Sequence, residues 1–366
     1  MNYYMPTRLF TGNDCIAQHA DALRAQGSRC IIVTDKHAAK ASGALDDVER
    51  ALDGCGISYD VWDGVTENPP VASCIEAGRL AAQGGAQFVL GIGGGSSLDA
   101  AKAISVFVAN PNLEEAGFYA LAWDASPVPI VLVGTTAGTG SEVTKVSVLT
   151  DVAKRKHSIH DDRLYASVSF GDSRHTRSCP QGVTLSCGVD VLAHAAESYF
   201  SHKADEVSRA FAVRAIRLAS EPLHVAASGE HLCDELREEL YEASILGGLA
   251  INTTGTCYPH NVGYYLTENY GVPHGFASAV FLPSMLGHVR TYDAAYANAF
   301  YDEIGMDEAT LTRLIAECLP TFDFRLSDEE IVAALPRWES NGSVLNTRAD
   351  ISVETIHEIL LSQFVR

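Results

Sequence analysis

The chain has 366 residues, and 26 Lys and Arg against 46 Asp and Glu give it a formal net charge of −20. So acidic a protein has no bulk attraction for nucleic acid or for an anionic membrane surface. Hydrophobic residues make up 47% of the chain, an ordinary globular share, and no apolar run reaches the roughly 18 residues that span a bilayer. Nine scattered cysteines without a CxxC pair favour the reducing cytoplasm over a secreted, disulfide-bonded setting.

The first half of the chain alternates strand and helix patterns. Short apolar runs rich in β-branched residues predict strands at residues 29–35, 57–62, 88–92, 129–134, 146–150 and 166–170. Helices are predicted at residues 37–55 and 97–109, with a third opened by Pro69 and Pro70 and closed by Gly84 and Gly85. Strands that alternate with helices predict a doubly wound, parallel, Rossmann-like α/β sheet.

The second half shows helical periodicity instead. Helices are predicted at residues 188–200, 205–220, 234–252, 308–319, 328–338 and 352–363. The composition changes near residues 175–185, where Cys179-Pro180 and Gly182 interrupt the pattern. We therefore expect an α/β domain over residues 1–180 and an all-α domain over residues 181–366.

A glycine-rich loop follows the third predicted strand and opens a helix. Four of the five residues from Gly91 to Gly95 are glycine, and Ser96 follows them. Glycines allow the backbone to approach a phosphate closely, and a helix N-terminus offers free N–H groups and a positive dipole end. The spacing fits neither the GxGxxG fingerprint nor a Walker A loop. The alternative is a tight turn, but four glycines exceed what a turn needs, so phosphate binding is the favoured interpretation.

Other residues of the first half are weaker candidates for cofactor contact. The segment 135–144 supplies hydroxyl groups after a buried strand, although local side-chain bonds would explain it equally well. Asp35 ends a strand, where a carboxylate can bind a ribose 2′-hydroxyl, and the alternatives are a helix cap or a solvated turn residue. Lys156 lies in a short basic run and could contact a pyrophosphate or belong to a solvated hairpin turn.

Three histidines and one aspartate suggest a metal site in the second half. Asp190 and His194 are spaced i,i+4 among apolar neighbours, so both lie on one face of a buried helix. This pair alone would equally fit a structural hydrogen bond. His260 and His274 flank an aromatic, glycine-punctuated stretch, and one Asp with three His forms a plausible site for Zn²⁺ or Fe²⁺.

Taken together, these motifs resemble the iron-containing (group III) alcohol dehydrogenase family over about residues 11–290. The carrying motifs appear in the family's order: Gly93-Gly94-Gly95-Ser96 with Asp99 and Lys102, then residues 135–144, then Gly188-Val189-Asp190 with His194 and Glu197, and finally Pro273-His274-Gly275. The segment Asn346-Thr347-Arg348 resembles more loosely an Asn-Pro-Arg segment of the family. The resemblance implies a dehydroquinate synthase-like fold, with an N-terminal dinucleotide-binding domain, a C-terminal helical domain and a metal in the cleft between them.

The resemblance also implies roles for individual residues. The metal ligands would be Asp190, His194, His260 and His274. Residues that would contact the cofactor are Asp35, Asn68, Gly93, Gly94, Gly95, Ser96, Asp99, Thr135, Thr136, Thr139 and Lys156. Asp35 matches the acidic position of members that prefer NAD over NADP. Fe²⁺ is the first expectation for the metal and Zn²⁺ the second.

The implied reaction is reversible hydride transfer between NAD and a small alcohol or aldehyde, with His260 and Tyr264 as the catalytic candidates. Many members carry a second His where this chain has Tyr264. A Tyr with an unperturbed pKa near 10 is a poorer proton relay at neutral pH than a His near 6.5. We also expect a homo-oligomer, as is common in the family.

Three alternatives remain open. A dehydroquinate-synthase-like enzyme would need a strongly basic pocket, and few Lys or Arg lie near the proposed ligands. A reductase like the maleylacetate reductases is metal-independent, whereas this chain carries the full Asp-His-His-His set. A non-catalytic NAD- or metal-binding protein would bind the cofactor without turning over alcohols or aldehydes.

Overall fold

The structure, a computed structural model, describes residues 3–365, and these residues divide into two compact units. The sheet unit comprises residues 4–183 and 233–241. The helical unit comprises Tyr3, residues 184–232 and the chain from residue 242 onwards.

The sheet unit is built on a parallel sheet, as the sequence predicts. Its strands are β1 (Arg8–Thr11), β2 (Arg29–Val33), β3 (Ser58–Trp62), β4 (Phe88–Gly93), β5 (Ile130–Gly134), β6 (Val146–Thr150), β7 (Lys156–His160) and β8 (Val168–Gly171). Six of them form one sheet in the order β1-β8-β5-β4-β2-β3, and every neighbouring pair is parallel. The remaining two, β6 and β7, form a separate antiparallel hairpin, so the predicted strand at 146–150 exists but lies outside the main sheet.

Helices cover both faces of this sheet. They are α1 (Cys15–Gln18), α2 (Asp21–Arg24), α3 (Ala38–Ala41), α4 (Ala44–Cys55), α5 (Val71–Gln83), α6 (Gly95–Ala109) and α7 (Glu115–Tyr119). Alternate residues of a strand point to opposite faces. In β2, Ile31 and Val33 therefore pack in the core beneath α5 and α6, while Cys30 and Ile32 pack in the core beneath α1 and α4. Burying a valine or isoleucine side chain in this way contributes about 1.5–3 kcal/mol.

Several local features of the sheet unit were not predicted, among them strand β7 and the short helices α1, α2 and α7. The helix expected at 37–55 is interrupted, because Gly43 adopts a left-handed conformation with φ 81° between α3 and α4. The edge strand β1 is only four residues long and is defined by its pairing with β8. Short turns of 3₁₀ helix complete the unit at Ser141–Val143, Asp162–Leu164 and Ser173–Thr176.

The helical unit confirms the predicted all-α second half. Its helices are α8 (Gln181–Tyr199), α9 (Glu206–Ala227), α10 (Asp234–Thr254), α11 (Tyr258–Tyr270), α12 (His274–Ala279), α13 (Leu282–Tyr292), α14 (Ala294–Ile304), α15 (Glu308–Cys318), α16 (Asp328–Ala334), α17 (Gly342–Asn346) and α18 (Val353–Phe364), with a 3₁₀ turn at Leu335–Arg337. The first residues of α8 and α10, at 181–183 and 234–241, belong to the sheet unit. The helices α11 to α14 and α17 were not predicted, and α9 continues past residue 220, where the predicted helix ends, through Pro222 to Ala227.

Among residues 3–365, no helix combines the length and the apolar character that crossing a membrane requires.

Candidate active site

The predicted glycine loop lies at the carboxyl end of the parallel sheet. Strand β4 ends at Gly93, which has φ 147°, and α6 begins at Gly95. Gly94 precedes the helix in an extended conformation and supplies no side-chain cap. The first N–H groups of α6 therefore lie at the end of a glycine-rich loop, which is an arrangement that suits a phosphate group.

The hydroxyl-rich loop after β5 packs directly onto the glycine loop. The N–H group of Thr135 donates to the carbonyl of Gly93 over 2.9 Å. A Cβ atom at Gly94 would lie 3.0 Å from Oγ1 of Thr136, and one at Gly95 would lie 2.7 Å from Cγ2 of Thr139. A side chain at Gly95 would therefore require Thr139 to move, and one at Gly94 would make a tight contact with Thr136. The hydroxyl of Thr135 is buried and has no hydrogen-bond partner among residues 3–365.

Asp99 and Lys102 lie on α6, and their hydrogen bonds connect this helix to the hydroxyl-rich loop and to β6. Ser141 donates to Oδ1 of Asp99 over 2.6 Å, and the N–H of Val148 donates to Oδ2 over 3.0 Å. The fully buried ammonium group of Lys102 donates to Oγ of Ser141 and to the carbonyl of Val146, both over 2.7 Å. Both oxygens of Asp99 thus accept hydrogen bonds from the protein. The negative charge of this carboxylate would repel a pyrophosphate. Its observed contacts are those of a residue that shapes the loop.

The other predicted cofactor residues lie around these loops. Oδ1 of Asp35 accepts the N–H groups of His37 and Ala38 over 2.8 and 2.6 Å, which is the capping role that the sequence left open. Oδ2 of the same carboxylate has no hydrogen bond among the described residues and lies 3.8 Å from the position of a Cβ at Gly93. One oxygen of Asp35 therefore remains available to a ligand beside the glycine loop.

Asn68 and Lys156 are brought to the same region by the β6–β7 hairpin. The N–H of Asn68 donates to Oγ of Ser96 over 3.3 Å, and its carbonyl accepts the hydroxyl of Thr150 over 2.8 Å. Thr150 is the register partner of the half-buried Lys156, which begins β7. Lys156 therefore belongs to a strand, although the solvated-turn alternative describes the neighbouring residues 151–155.

In the helical unit, helix α8 presents three polar residues along one buried stripe. Asp190, His194 and Glu197 follow each other at i, i+4 and i+7, and none is more than 4% exposed. The surrounding residues of α8 are apolar and buried. Burying ionisable groups on an apolar helix is costly unless a partner compensates their charge.

The four predicted metal ligands, which we call the ligand cluster, come together at this stripe. Ligand atoms of Asp190, His260 and His274 all lie within 4.8 Å of one another. Oδ1 of Asp190 is 3.3 Å from Nε2 of His260 and 3.9 Å from Nε2 of His274. His194 is placed beside this group, with Nε2 3.8 Å from Oδ2 of Asp190 and its ring stacked on His260 at a centroid distance of 4.7 Å.

The ligand cluster fits a divalent cation. Atoms that bind one ion at about 2.1 Å lie roughly 3–3.5 Å apart, close to the observed separation of Asp190 and His260. Oδ1 of Asp190 and Nε2 of His260 are buried, face each other, and make no hydrogen bond among residues 3–365. Burial opposes ionisation of Asp190, but the imidazoles of His194, His274 and His260 hold its pKa well below the ordinary value. A carboxylate that stays ionised beside three imidazole nitrogens is a donor set suited to Zn²⁺ or Fe²⁺.

Close backbone packing brings His274 to the cluster. It begins α12, and a Cβ atom at the following residue, Gly275, would lie 1.8 Å from the carbonyl oxygen of Ser186 and 3.1 Å from Cβ of Asp190. Only glycine permits this contact between α12 and α8. The Pro273-His274-Gly275 motif therefore combines a predicted ligand with the residue that allows its close approach to Asp190.

Tyr264 lies next to the ligand cluster. It follows His260 by one turn of α11, and its ring stacks against that of His274 with a centroid distance of 5.5 Å. The residue is partly exposed. The phenol is thus in a position from which it can contact a molecule bound at the cluster.

Sequence reasoning singled out Glu197 only as part of a motif and gave it no role. Its carboxylate accepts Nδ1 of His260 over 2.5 Å and the N–H of Cys257 over 2.6 Å. Burial lowers the pKa of His260, but the carboxylates of Glu197 and Asp190 outweigh it and raise that pKa to about 10. The i,i+7 spacing from Asp190 on an apolar helix was the available signal. The other residues without an assigned role, Lys102 and Ser141, had no distinguishing spacing.

Comparison with known families agrees with this arrangement. The family described as iron-containing alcohol dehydrogenase matches residues 6–173. The C-terminal part of the Fe-containing alcohol dehydrogenase family matches residues 184–313. The two matches cover the glycine and threonine loops and the whole ligand cluster.

Individual relatives match over most of the chain. A 1,3-propanediol dehydrogenase from Klebsiella pneumoniae is 32% identical, with 96% of this chain and 89% of the relative covered. An NAD-dependent methanol dehydrogenase from Bacillus methanolicus is 27% identical, with coverage of 96% and 90%. The crystal structure of an iron-containing alcohol dehydrogenase from Thermotoga maritima has a TM-score of 0.91 at 31% identity, with 99% of this chain and 98% of that chain covered. The chain belongs to the iron-containing alcohol dehydrogenase family.

Proposed function

We propose that the protein is a metal-dependent, NAD-linked alcohol dehydrogenase that interconverts small alcohols and aldehydes. The observation that carries this proposal is the ligand cluster, where the buried carboxylate of Asp190 lies beside three imidazoles and pairs with no Lys or Arg among residues 3–365. The relatives named above act on 1,3-propanediol and methanol, which supports a small alcohol as the substrate class.

We propose Asp190, His194, His260 and His274 as the metal ligands. A divalent cation bound there supplies positive charge that polarises a carbonyl oxygen or favours loss of the alcohol proton. Asp190 contributes the negative charge, and burial keeps water away from three of the four ligand side chains. His274 is the most exposed ligand, with 26% of its side chain accessible, so the open side of the cluster lies toward it. Fe²⁺ is our first choice for the metal and Zn²⁺ our second. The supply of each metal, as well as the type of ligand, decides which ion occupies such a site.

We propose that the glycine loop and the first turn of α6 hold the pyrophosphate of NAD. The nicotinamide ring supplies the hydride acceptor or donor when the cofactor is bound. Thr135, Thr136 and Thr139 offer hydroxyl groups above the loop, and Asn68 offers a side-chain amide with no hydrogen bond among the described residues. The free oxygen of Asp35 suits a ribose hydroxyl and would repel a 2′-phosphate, which favours NAD over NADP.

The catalytic roles that we propose for His260 and Tyr264 differ. His260 acts as a metal ligand, and the hydrogen bond between its Nδ1 atom and Glu197 fixes the orientation of its ring. Tyr264 stands beside His274 and can hydrogen-bond a substrate oxygen, whereas its high unperturbed pKa makes it a slow proton relay near neutral pH. We therefore assign Tyr264 to substrate orientation rather than to general base catalysis.

A metal-independent reductase is the second candidate, and the ligand cluster argues against it. An enzyme without a metal would leave the facing atoms of Asp190 and His260 buried and unsatisfied, which costs about 1–3 kcal/mol for each group. A non-catalytic binding protein would have no need for four ligands beside a partly exposed tyrosine.

The test measures metal content and enzymatic turnover on the same preparation of the protein. Purified protein is reconstituted with Fe²⁺ or Zn²⁺, its metal is measured by elemental analysis, and NADH and NADPH oxidation are compared over a panel of short aldehydes. We expect near-stoichiometric metal and metal-dependent oxidation of NADH. His274→Ala should lose both, while His224→Ala, at an exposed histidine of α9, should lose neither. A metal-free protein that oxidises NADH would favour the reductase, and a metal-loaded protein inert with every aldehyde would contradict the proposed substrate class.

Assembly as a homo-oligomer also remains a proposal. It rests on what is common in the family, and light scattering coupled to size exclusion would measure it directly.

A further inference from the structure

We propose that Glu197 is a positioning residue of the metal centre, which holds His260 with Nε2 turned toward the metal. This inference rests on the proposed metal site. It assigns to Glu197 a task that the ligands themselves do not perform.

Both oxygens of the Glu197 carboxylate are used in contacts that position His260. The side chain is fully buried, and both of its oxygens accept short hydrogen bonds, Oε1 from Nδ1 of His260 and Oε2 from the N–H of Cys257. A carboxylate accepts and cannot donate when ionised, so it requires a proton on Nδ1 of His260. The lone pair of a neutral imidazole then lies on Nε2, the atom that faces Oδ1 of Asp190 at 3.3 Å.

The same carboxylate also fixes the backbone that carries His260. Cys257 caps α11 without using its side chain, so the N–H that Glu197 binds is one of the free donors at the start of this thirteen-residue helix. A negative charge at that end also interacts favourably with the helix dipole. His260 lies three residues further on, and Glu197 therefore holds it at the ring and at the base of its helix.

A second set of contacts shows that the segment before His260 is built to be rigid. The amide of Asn346 donates to the carbonyls of Thr254 and Thr256 over 2.9 and 3.0 Å. The hydroxyl of Thr347 accepts the N–H of Tyr258 over 3.1 Å. Together with Glu197, these groups secure the whole connection between α10 and α11.

A carboxylate that is hydrogen-bonded to the second ring nitrogen of a histidine is a recurring arrangement behind metal-binding imidazoles, and it fixes the orientation of the ring. The arrangement follows the general rule that a carboxylate behind a histidine ligand tunes metal affinity.

Glu197→Gln tests the proposal because glutamine has nearly the same shape but only one acceptor oxygen. Its amide group must face either Cys257 or His260 with a donor, and facing His260 it would favour the wrong tautomer. Ser198→Ala is the matched control, since Ser198 is the next residue of α8, is fully buried, and donates to the carbonyl of Ala250.

The measurements are Zn²⁺ affinity, by competition with a chromophoric chelator, and the visible absorption bands of the Co²⁺-loaded protein, which report coordination geometry. We expect Glu197→Gln to bind Zn²⁺ about 10–100-fold more weakly, with altered Co²⁺ bands, and Ser198→Ala to match the wild type. Equal affinity and unchanged bands in Glu197→Gln would overturn the inference, and so would an equal loss in the control.

Two further results separate this inference from the proposed function. Wild-type protein that binds neither Zn²⁺ nor Co²⁺ would overturn the metal site itself and the inference with it. If Glu197→Gln fails to fold, Glu197→Asp carries the test, because its charge is kept but its shorter side chain cannot reach both donors. We expect its Zn²⁺ affinity to fall by a smaller factor, and wild-type affinity in that variant would overturn the positioning role.

Discussion

The carbonyl oxygen of Ser186 occupies the space into which a side chain at Gly275 would project. A Cβ atom there would be 1.8 Å from that oxygen, a distance that side-chain rotation cannot relieve because the obstacle is backbone. Helix α12 and helix α8 therefore approach each other at van der Waals contact between main chains. This contact places His274 beside Asp190.

Gly275→Ala should separate these helices and weaken metal binding. Overpacking of this kind typically costs 1–3 kcal/mol, and the displaced element is the one that begins with His274. We expect substoichiometric metal after reconstitution and a lower melting temperature. Gly287→Ala is the control, because Gly287 lies within α13 with no atom inside 4 Å of a new Cβ and should be slightly stabilised. Full metal content in Gly275→Ala would show that His274 is positioned by other contacts.

The contrast between these two glycines illustrates what the sequence can and cannot predict. Gly275 was recognised as part of a motif, but no local pattern indicates that a carbonyl from residue 186 lies against it. The strands β2, β4 and β5 were predictable because buried parallel strands are almost uniformly apolar. Edge strand β1 was not, because its four residues form a strand through pairing with β8.

The helices between residues 258 and 304 show the same limit. Proline and glycine at Pro259, Gly263, Gly271 and Pro273 interrupt the periodic pattern, and yet each has a place in the structure. Pro259 stands in the first turn of α11, and Gly271 ends that helix in a left-handed conformation with φ 65°. Residue type alone identified the histidines of this region, whereas the contact of Glu197 with His260 depends on how two helices pack.

Asp35→Asn should relax the proposed preference for NADH over NADPH. The asparagine keeps an acceptor oxygen for the N–H groups of His37 and Ala38, so the cap of α3 and the melting temperature should be preserved. The lost negative charge no longer repels a 2′-phosphate. We expect the ratio of kcat/KM for NADPH to that for NADH to rise at least about tenfold, which corresponds to 1.4 kcal/mol.

Asp35→Ala separates the two functions of that side chain. It removes the cap as well as the charge and should cost about 1 kcal/mol of stability. An unchanged cofactor ratio in both variants would remove Asp35 from cofactor selection and leave it as a capping residue.

Asp172 should make the sheet unit sensitive to acid. The side chain is buried, and although burial raises its pKa, the side chain of Arg174 and the N–H groups of Asp14 and Arg174 hold the pKa below the ordinary value. A carboxyl whose folded-state pKa is depressed stabilises the fold above its unfolded pKa of about 3.9, and this contribution is lost as the pH falls through the lower folded value.

Asp172→Asn should therefore lower the free energy of unfolding at neutral pH by about 1–3 kcal/mol and flatten its dependence on pH below about pH 4. Urea titrations at pH 7 and at a series of acid pH values measure both effects. Asp60→Asn is the control, because Asp60 pairs with Arg29 at the surface and such pairs contribute at most about 1 kcal/mol. Parallel pH profiles for wild type and Asp172→Asn would contradict the prediction.

Gly95→Ala should weaken cofactor binding through Thr139, and the contact suggests its own rescue. The new Cβ would lie 2.7 Å from the methyl carbon Cγ2 of Thr139, so the threonine loop must move away from the start of α6. We expect the Kd for NADH, measured by fluorescence titration, to rise about tenfold, or 1.4 kcal/mol. Thr139→Ser removes that methyl group and keeps the hydroxyl, so the double variant should recover most of the affinity. Gly54→Ala, in an open position of α4, should bind NADH like the wild type. A double variant no better than Gly95→Ala would place the loss in the helix N-terminus itself rather than in the packing of the two loops.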